Sequence, residues 1–150
     1  MPPKPSASVK IRRARTSDAA RMAVLSGELG YPTSTPQMAR RLKALNPTKQ
    51  HAAFVADDPE HGVVGWIHVS FTPLLEVEPR AEVNGLVVGD GQRSKGAGRL
   101  LLEEAERWAR KNRCKSMSVR SNVIRDRAHA FYERHGYDHY KTQKAFRKPL

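Results

Sequence analysis

The chain has 150 residues, a length that suits one domain with its own hydrophobic core. It carries a formal net charge of +12, but the basic excess lies in the first and last thirds, where Lys and Arg are interleaved with Glu rather than forming a nucleic-acid-binding block. The sequence has no run of about 18 apolar residues, no signal-peptide core in its opening segment and a single cysteine, Cys114. We therefore expect a cytoplasmic protein without membrane spans or internal disulfides.

The hydrophobic patterning predicts a single mixed α/β domain over residues 9–150, preceded by a disordered tail over residues 1–8. Local signals support the helices, among them Pro36 in the first turn of one helix and Gly136 directly after the last. In chain order the patterns predict a strand at 9–12, helices at 19–29 and 35–45, a hairpin over 52–71, a strand at 81–88, a helix at 98–112, a strand around 119, a helix at 126–135 and one or two closing strands within 137–149. We expect helices on both faces of a mostly antiparallel sheet.

The strongest functional signal is the segment Arg93–Gly98, which reads RSKGAG. It follows an apolar strand and opens an amphipathic helix, whose N-terminus presents backbone N–H groups and a partial positive charge. Lys95 and Arg99 add positive charge, and the glycines allow an anion to approach the backbone. The spacing matches neither a Walker loop nor a dinucleotide fingerprint. We interpret the turn as a pyrophosphate site.

This segment resembles the Arg/Gln-x-x-Gly-x-Gly/Ala motif of the GNAT family of N-acetyltransferases. The segment at 128–137, AHAFYERHGY, is similar to a second motif of that family, Ala-x-x-Phe-Tyr-x-x-x-Gly-Phe/Tyr. The two motifs stand in the family's order and at its separation, and the resemblance runs from about residue 9 to residue 148. It implies a sheet of six to seven strands, acetyl-CoA as cofactor, and acetyl transfer to an amine.

The resemblance also implies which residues hold the cofactor. In the family, a bulge near the position of Gly85 exposes backbone N–H groups to pantetheine and to the reacting carbonyl oxygen, and the glycine turn binds pyrophosphate. Where many members carry Asn before the motif tyrosine, this chain has Arg125, with Asn122 nearby. The predicted cofactor-binding residues are Leu86, Val87, Val88, Arg93, Ser94, Lys95, Gly96, Ala97, Gly98, Arg99, Asn122 and Arg125.

Two residues are predicted to move protons. Glu82 stands at the separation from Arg93 at which the histone acetyltransferases of the family carry a glutamate base, acting directly or through water. Tyr132 falls at the motif position that implies a general acid to the CoA thiolate. Two simpler readings stay open: Glu82 as a solvent-facing or ion-paired strand residue, and Tyr132 as a core aromatic. The six histidines are scattered along the chain, without metal-ligand spacing, and we assign none of them a role.

The acceptor is the least determined part of the prediction. Glu28, Tyr31, Glu76 and Glu78, together with Glu82, would form an acidic pocket suited to a cationic small-molecule amine. Two alternatives remain: an acetyltransferase of protein lysines or N-termini, and a non-catalytic module that binds acetyl-CoA or nucleic acid. We do not expect nucleic acid or a membrane as the main partner, and the resemblance makes a homodimer an open expectation.

Overall fold

The computed structural model describes residues 9–92, 96–121 and 125–150 of the chain. It divides into two compact units, residues 1–119 and residues 120–150. The single domain predicted over residues 9–150 stays a prediction, and the tail predicted over residues 1–8 lies outside the described residues. Within the described ranges, no helix is both long enough and apolar enough to cross a membrane.

The first unit is built on a mixed five-stranded sheet. In spatial order its strands are β1 (Lys10–Arg13), β2 (His51–Asp58), β3 (Gly62–Thr72), β4 (Arg80–Val88) and β5 (Ser116–Val119). Neighbouring strands from β1 to β4 are antiparallel, whereas β5 runs parallel to β4. Direct connections join the antiparallel strands β2, β3 and β4, whereas two helices lie between β1 and β2. Another helix lies between β4 and β5, as the return to a parallel neighbour requires.

Three helices cover the two faces of this sheet. Helices α1 (Ala19–Glu28) and α2 (Thr35–Leu45) pack on one face, where Met22, Leu25, Met38 and Leu42 meet Ala53, Val55 and Val87. Helix α3 (Ala97–Lys111) packs on the other face through Leu101, Leu102, Ala105 and Trp108. Local sequence explains where α2 begins: the Ser34 hydroxyl accepts a hydrogen bond from the Gln37 amide at 3.2 Å, and the Gln37 side chain accepts one from the Ser34 amide at 2.9 Å.

An ion-pair network joins β1 to the start of α1. Asp18, with 8% of its side chain exposed, accepts hydrogen bonds from two Arg12 nitrogens at 2.8 and 2.9 Å and from the Arg15 amide at 2.7 Å. Arg12 also donates to Asp57 of β2 at 3.1 Å. Burial opposes ionisation of Asp18, but the hydrogen bonds from Arg12 and Arg15 outweigh it and hold the pKa of this carboxyl below its usual range.

Replacing Asp18 by Asn should lower the free energy of unfolding by about 2–3 kcal/mol at pH 7, because it leaves Arg12 partly buried with a weaker partner. A carboxyl whose pKa is depressed by folding stabilises the protein above its unfolded pKa, and that contribution is lost as pH falls through the folded pKa. The difference in free energy of unfolding between wild type and Asp18→Asn, measured by urea denaturation, should therefore shrink below about pH 4. Asp57→Asn, at a more exposed carboxylate with one bond to Arg12, is the control and should cost less. An equal loss in both variants would contradict the assignment.

The second unit contains one helix, α4 (Asp126–Arg134), followed by an extended tail. Gly136 follows the helix with φ of +89°, the left-handed conformation predicted at this position. Phe131, Tyr132, His135 and Tyr137 form a chain of ring contacts, with centroids 4.6–5.7 Å apart. Edge-to-face contacts between aromatic rings therefore organise the end of this helix.

Two of our predictions are wrong in the described residues. The segment 137–150 contains no strand, although its sequence alternates, and the sheet has five strands instead of six or seven. Strand formation needs a backbone partner, and no described strand pairs with this tail. Tyr140 and Phe146 are consequently 65% and 91% exposed.

Candidate functional site

Strand β4 changes its partners halfway along its length. Its first residues pair with β5 on one edge, from Arg80 opposite Ser116 to Val83 opposite Val119. Directly afterwards Asn84 is an extra residue in the β3–β4 ladder, because His68 pairs with Gly85 and Val69 with Val83. From Asn84 to Val88 no described residue pairs with the β5-side edge of β4. Among the described residues the sheet is therefore open along this edge, and we call the open edge a slot. It lies next to the bulge at Asn84, one residue before Gly85.

The backbone groups on this open edge follow from the ladder with β3. The Gly89 amide donates to the Val64 carbonyl at 2.8 Å, so the N–H of Gly89 points towards β3. Amide direction alternates along an antiparallel strand, so Val87 also faces β3, whereas Leu86 and Val88 direct their N–H and C=O groups into the slot. Two of the three predicted backbone positions, Leu86 and Val88, thus offer hydrogen bonds there, and Val87 does not.

Helix α3 begins shortly after β4 and supplies an anion-binding geometry. Gly96 precedes it with φ of +89°, a conformation that a side chain would strain, and the helix starts at Ala97 without acidic residues in its first turn. The first-turn amides, including those of Ala97 and Gly98, point out of the N-terminus. Arg99 lies on the same turn, and its guanidinium contacts Glu103 at 3.0 Å along the helix. Arg93, Ser94 and Lys95 lie outside the described residues.

Glu82 lies on β4, two residues before the bulge. Its cross-strand partners are Ser70 on β3 and Ser118 on β5. Ser70 faces the side of the sheet on which α1 and α2 pack, so Glu82 faces that side as well. The carboxylate is half-buried and takes part in further interactions.

The remaining predicted contacts belong to the second unit. Tyr132 lies on α4, where burial raises the pKa of its phenol to about 12, against a smaller lowering by the positive charge of Arg125. Arg125 occupies the position just before α4. Tyr132 therefore keeps its proton throughout the physiological pH range. Asn122 lies outside the described residues.

Comparison with known families decides the identity of this fold. Residues 20–137 match the model of the acetyltransferase (GNAT) family. The chain belongs to the GNAT family. No curated relative matches its sequence.

Solved structures agree with this GNAT assignment. The chain is 27% identical to a protein described as a transcriptional regulator from Bacillus halodurans C-125, with a TM-score of 0.79 and coverage of 92% of this chain and 99% of that one. The aminoglycoside N-acetyltransferase AAC(6')-Iy, solved in complex with CoA, is 16% identical and superimposes with a TM-score of 0.86 over 100% of both chains. Glucosamine-6-phosphate N-acetyltransferase from Arabidopsis thaliana is 18% identical, with a TM-score of 0.81 over 94% and 99% of the two chains.

The residues predicted for the acceptor pocket of this GNAT chain lie on α1 and on two loops. Glu28 borders a cleft of about 410 Å³ between α1 and the end of β4, whose other lining residues include Arg21, Leu25, His61, Val64 and Asp90. Tyr31 is 64% exposed on the α1–α2 loop, and Glu76 and Glu78 lie on the exposed β3–β4 loop. Their role in binding an acceptor stays a prediction.

The sequence patterns missed a pair of histidines. His51 Nδ1 lies 2.9 Å from His68 Nε2, and the two rings stack with centroids 5.2 Å apart. Burial, and then the charge of His51, lowers the pKa of His68 to about 4, so His68 is neutral at pH 7. The sequence did place the two histidines on the two strands of one predicted hairpin, which is the pattern that could have suggested a contact between them. The pairing, however, depends on the hairpin register, which spacing alone does not give.

Proposed function

We propose that this GNAT chain is an acetyl-CoA-dependent acyltransferase that moves an acetyl group to a primary amine of a small molecule. The observation that carries the proposal is the open edge of β4 beside the Asn84 bulge, where Leu86 and Val88 direct backbone groups into a slot. A slot of this kind fits an extended ligand that carries amide groups. The ligand's amides can form hydrogen bonds with the free edge of β4, and the hydrogen bonds between β4 and β3 stay intact.

The residues present fit acetyl-CoA on two independent counts. Pantetheine has two amides that match the outward groups of Leu86 and Val88, and a pyrophosphate matches the acid-free first turn of α3 after Gly96. When bound, acetyl-CoA supplies the activated thioester. The slot and the helix N-terminus would hold it, and Val88 or Leu86 would donate an N–H to the carbonyl oxygen on which negative charge develops.

Glu82 and Tyr132 are the groups that we propose to move protons. The acceptor reaches the enzyme as an ammonium ion, and the Glu82 carboxylate accepts one of its N–H protons, so that the nitrogen lone pair can attack. Tyr132, which is protonated at physiological pH, donates its O–H proton to the departing sulfur. After it has attacked, the acceptor nitrogen must lose a second proton to become an amide, and this proton returns to the Tyr132 oxygen. Overall one proton is released, the one that Glu82 accepts and then passes to solvent.

We propose a small-molecule acceptor because two of the similar structures are enzymes named for small amines, an aminoglycoside and glucosamine 6-phosphate. A protein lysine or N-terminal amine remains the second candidate. A homodimer is also proposed, since the tail after α4 leaves Tyr140 and Phe146 exposed. Sedimentation equilibrium would decide this point, and a monomer at all concentrations would refute the dimer.

Thermal unfolding with acetyl-CoA, CoA and ATP tests the proposal. A ligand at 100 times its Kd adds about 2.7 kcal/mol to the free energy of unfolding, which raises the Tm by several degrees. We expect acetyl-CoA and CoA to raise the Tm and ATP to leave it unchanged. An acetyl-CoA-dependent release of thiol with a panel of amines then identifies the acceptor class.

Leu86→Pro and Leu86→Ala form a matched pair for this measurement. Proline removes the N–H that points into the slot without removing a bond to β3, whereas alanine keeps it. The Pro variant should lose most of the Tm increase with acetyl-CoA, and the Ala variant should keep it. Equal responses of both variants would show that the slot is not the cofactor site.

A further inference from the structure

Four polar side chains cross the sheet in a single line. His51 on β2 pairs with Ser70 on β3, Ser70 pairs with Glu82 on β4, and Glu82 pairs with Ser118 on β5. Directly opposed residues point to the same face, with Cβ atoms about 5 Å apart. We call His51, Ser70, Glu82 and Ser118 the polar row.

The polar row crosses the face of the sheet on which α1 and α2 pack. Ala53 and Val55 continue the same face of β2 into the apolar core, whereas Thr72 and Arg80 continue it beyond Ser70 and Glu82. Ser70 is only 7% exposed, and the other three members of the row are half-buried. Polar groups withdrawn from water cost free energy unless they are hydrogen bonded, so the partners of the row matter.

Three contacts connect the row to its neighbours. The Ser118 hydroxyl donates to the Ala81 carbonyl at 3.4 Å. The Asn84 amide, on the bulge residue, donates to Ser70 Oγ at 2.7 Å. The hydroxyl of Ser70 therefore accepts at this contact, and its own hydrogen is left to be donated along the row. At the far end, His51 bonds to His68 through the 2.9 Å contact between their ring nitrogens.

The charged side chains on this face of the sheet include Glu82, Arg80 two residues before it on β4, and Arg12 on β1, which is paired with Asp18 and Asp57. The hydrophobic residues that α1 and α2 pack against this face include Met22, Leu25, Met38 and Leu42. His68, whose pKa burial lowers to about 4, is therefore neutral near pH 7, and one ring nitrogen of the 2.9 Å contact with His51 donates to the other.

We propose that Ser70 and the His51–His68 pair are positioning residues that act through Glu82 and carry away the proton that Glu82 accepts. The proposal rests on the base role proposed for Glu82. It explains why a hydroxyl and an imidazole follow the carboxylate directly across the strands, and why the bulge residue Asn84 fixes the orientation of that hydroxyl.

The transfer balances in three proton movements. The acceptor ammonium loses a proton to the Glu82 carboxylate. The Glu82 O–H then gives its proton to Ser70 Oγ while Ser70 passes its own hydrogen to the imidazole of His51. The imidazolium releases a proton to water, with His68 stabilising it by a hydrogen bond. Glu82, Ser70 and His51 return to their starting states, and one proton has moved from the acceptor to solvent.

Kinetics of Ser70→Ala in two backgrounds test the proposal. In the wild-type background this change should lower kcat about tenfold with little effect on the KM for acetyl-CoA, and Ser70→Thr, which keeps the hydroxyl, should retain most of the rate. In a Glu82→Gln background the same Ser70→Ala change should alter kcat less than about twofold, because the two residues act as one unit. A tenfold loss in both backgrounds, or no loss in the wild-type background, would overturn the proposal.

A second measurement needs no acceptor. The pH at which His68 titrates, followed by its imidazole C–H resonances in NMR, should fall by about half a pH unit in Glu82→Gln, because a nearby negative charge is removed. An unchanged titration of His68 would overturn the linkage. If no amine is acetylated, the proposed function fails, and this titration alone then decides whether the row connects Glu82 to the histidine pair.

Discussion

Replacing Tyr132 by Phe should lower kcat about a hundredfold or more, because the departing sulfur then lacks its proton donor. The ring stays in place against Phe131 and Tyr137, so the fold and the affinity for acetyl-CoA should change little. Since burial raises the pKa of the Tyr132 phenol to about 12, the wild-type rate should show no loss from phenol ionisation up to about pH 10. Steady-state kinetics of thiol release across pH provide the measurement.

Tyr137→Phe is the matched control for this experiment. Its ring lies 5.7 Å from that of Tyr132, so it removes a neighbouring phenol with a similar effect on packing. The control should keep the wild-type kcat. A wild-type rate in Tyr132→Phe would leave Tyr132 as a packing residue of the aromatic chain after α4.

Glu82→Gln should lower kcat by about 10²–10⁴-fold, the range found when a positioned general base is removed. Glutamine keeps the size of the side chain and its place opposite Ser70, so the Tm and the KM for acetyl-CoA should remain close to those of wild type. The rate should be measured with saturating acceptor. Under that condition a lower affinity for the acceptor does not reduce the rate, whereas a slower chemical step does.

Glu60→Gln serves as the control for Glu82→Gln, since Glu60 is a carboxylate on the exposed β2–β3 turn with 83% of its side chain accessible. We expect its kinetics to match wild type. Should Glu82→Gln keep full activity over the whole pH range, the proton of the acceptor must leave by another group or by water. The simpler reading of Glu82 as a structural strand residue would then be correct.

The local signals of the sequence predicted the helices well. Helix α2 begins at Thr35 and ends at Leu45 as expected, because the Ser34 and Gln37 side chains and Pro36 act within one turn. The buried face of α3, with Leu101, Leu102, Ala105, Trp108 and Ala109, also follows from helical spacing. Both features depend only on residues near each other in the chain.

Features that depend on distant partners were predicted less well. The tail after Gly136 alternates like a strand but finds no described strand to pair with. The histidine pair was missed for the same reason, since His51 and His68 meet only through the register of β2 and β3.

The Asn84 bulge also determines on which side of the sheet the Glu82 carboxylate lies. Glu82 and Val87 are an odd number of positions apart, so in an unbroken strand they would face opposite sides. The extra residue shifts the alternation, and both share the face beneath α1 and α2. Deleting Asn84 would therefore exchange the two faces of the first half of β4, turning Glu82 towards α3 and Val83 away from it, an effect that no substitution at these positions can produce. The length of β4 is therefore as much a requirement of this chemistry as the Glu82 side chain.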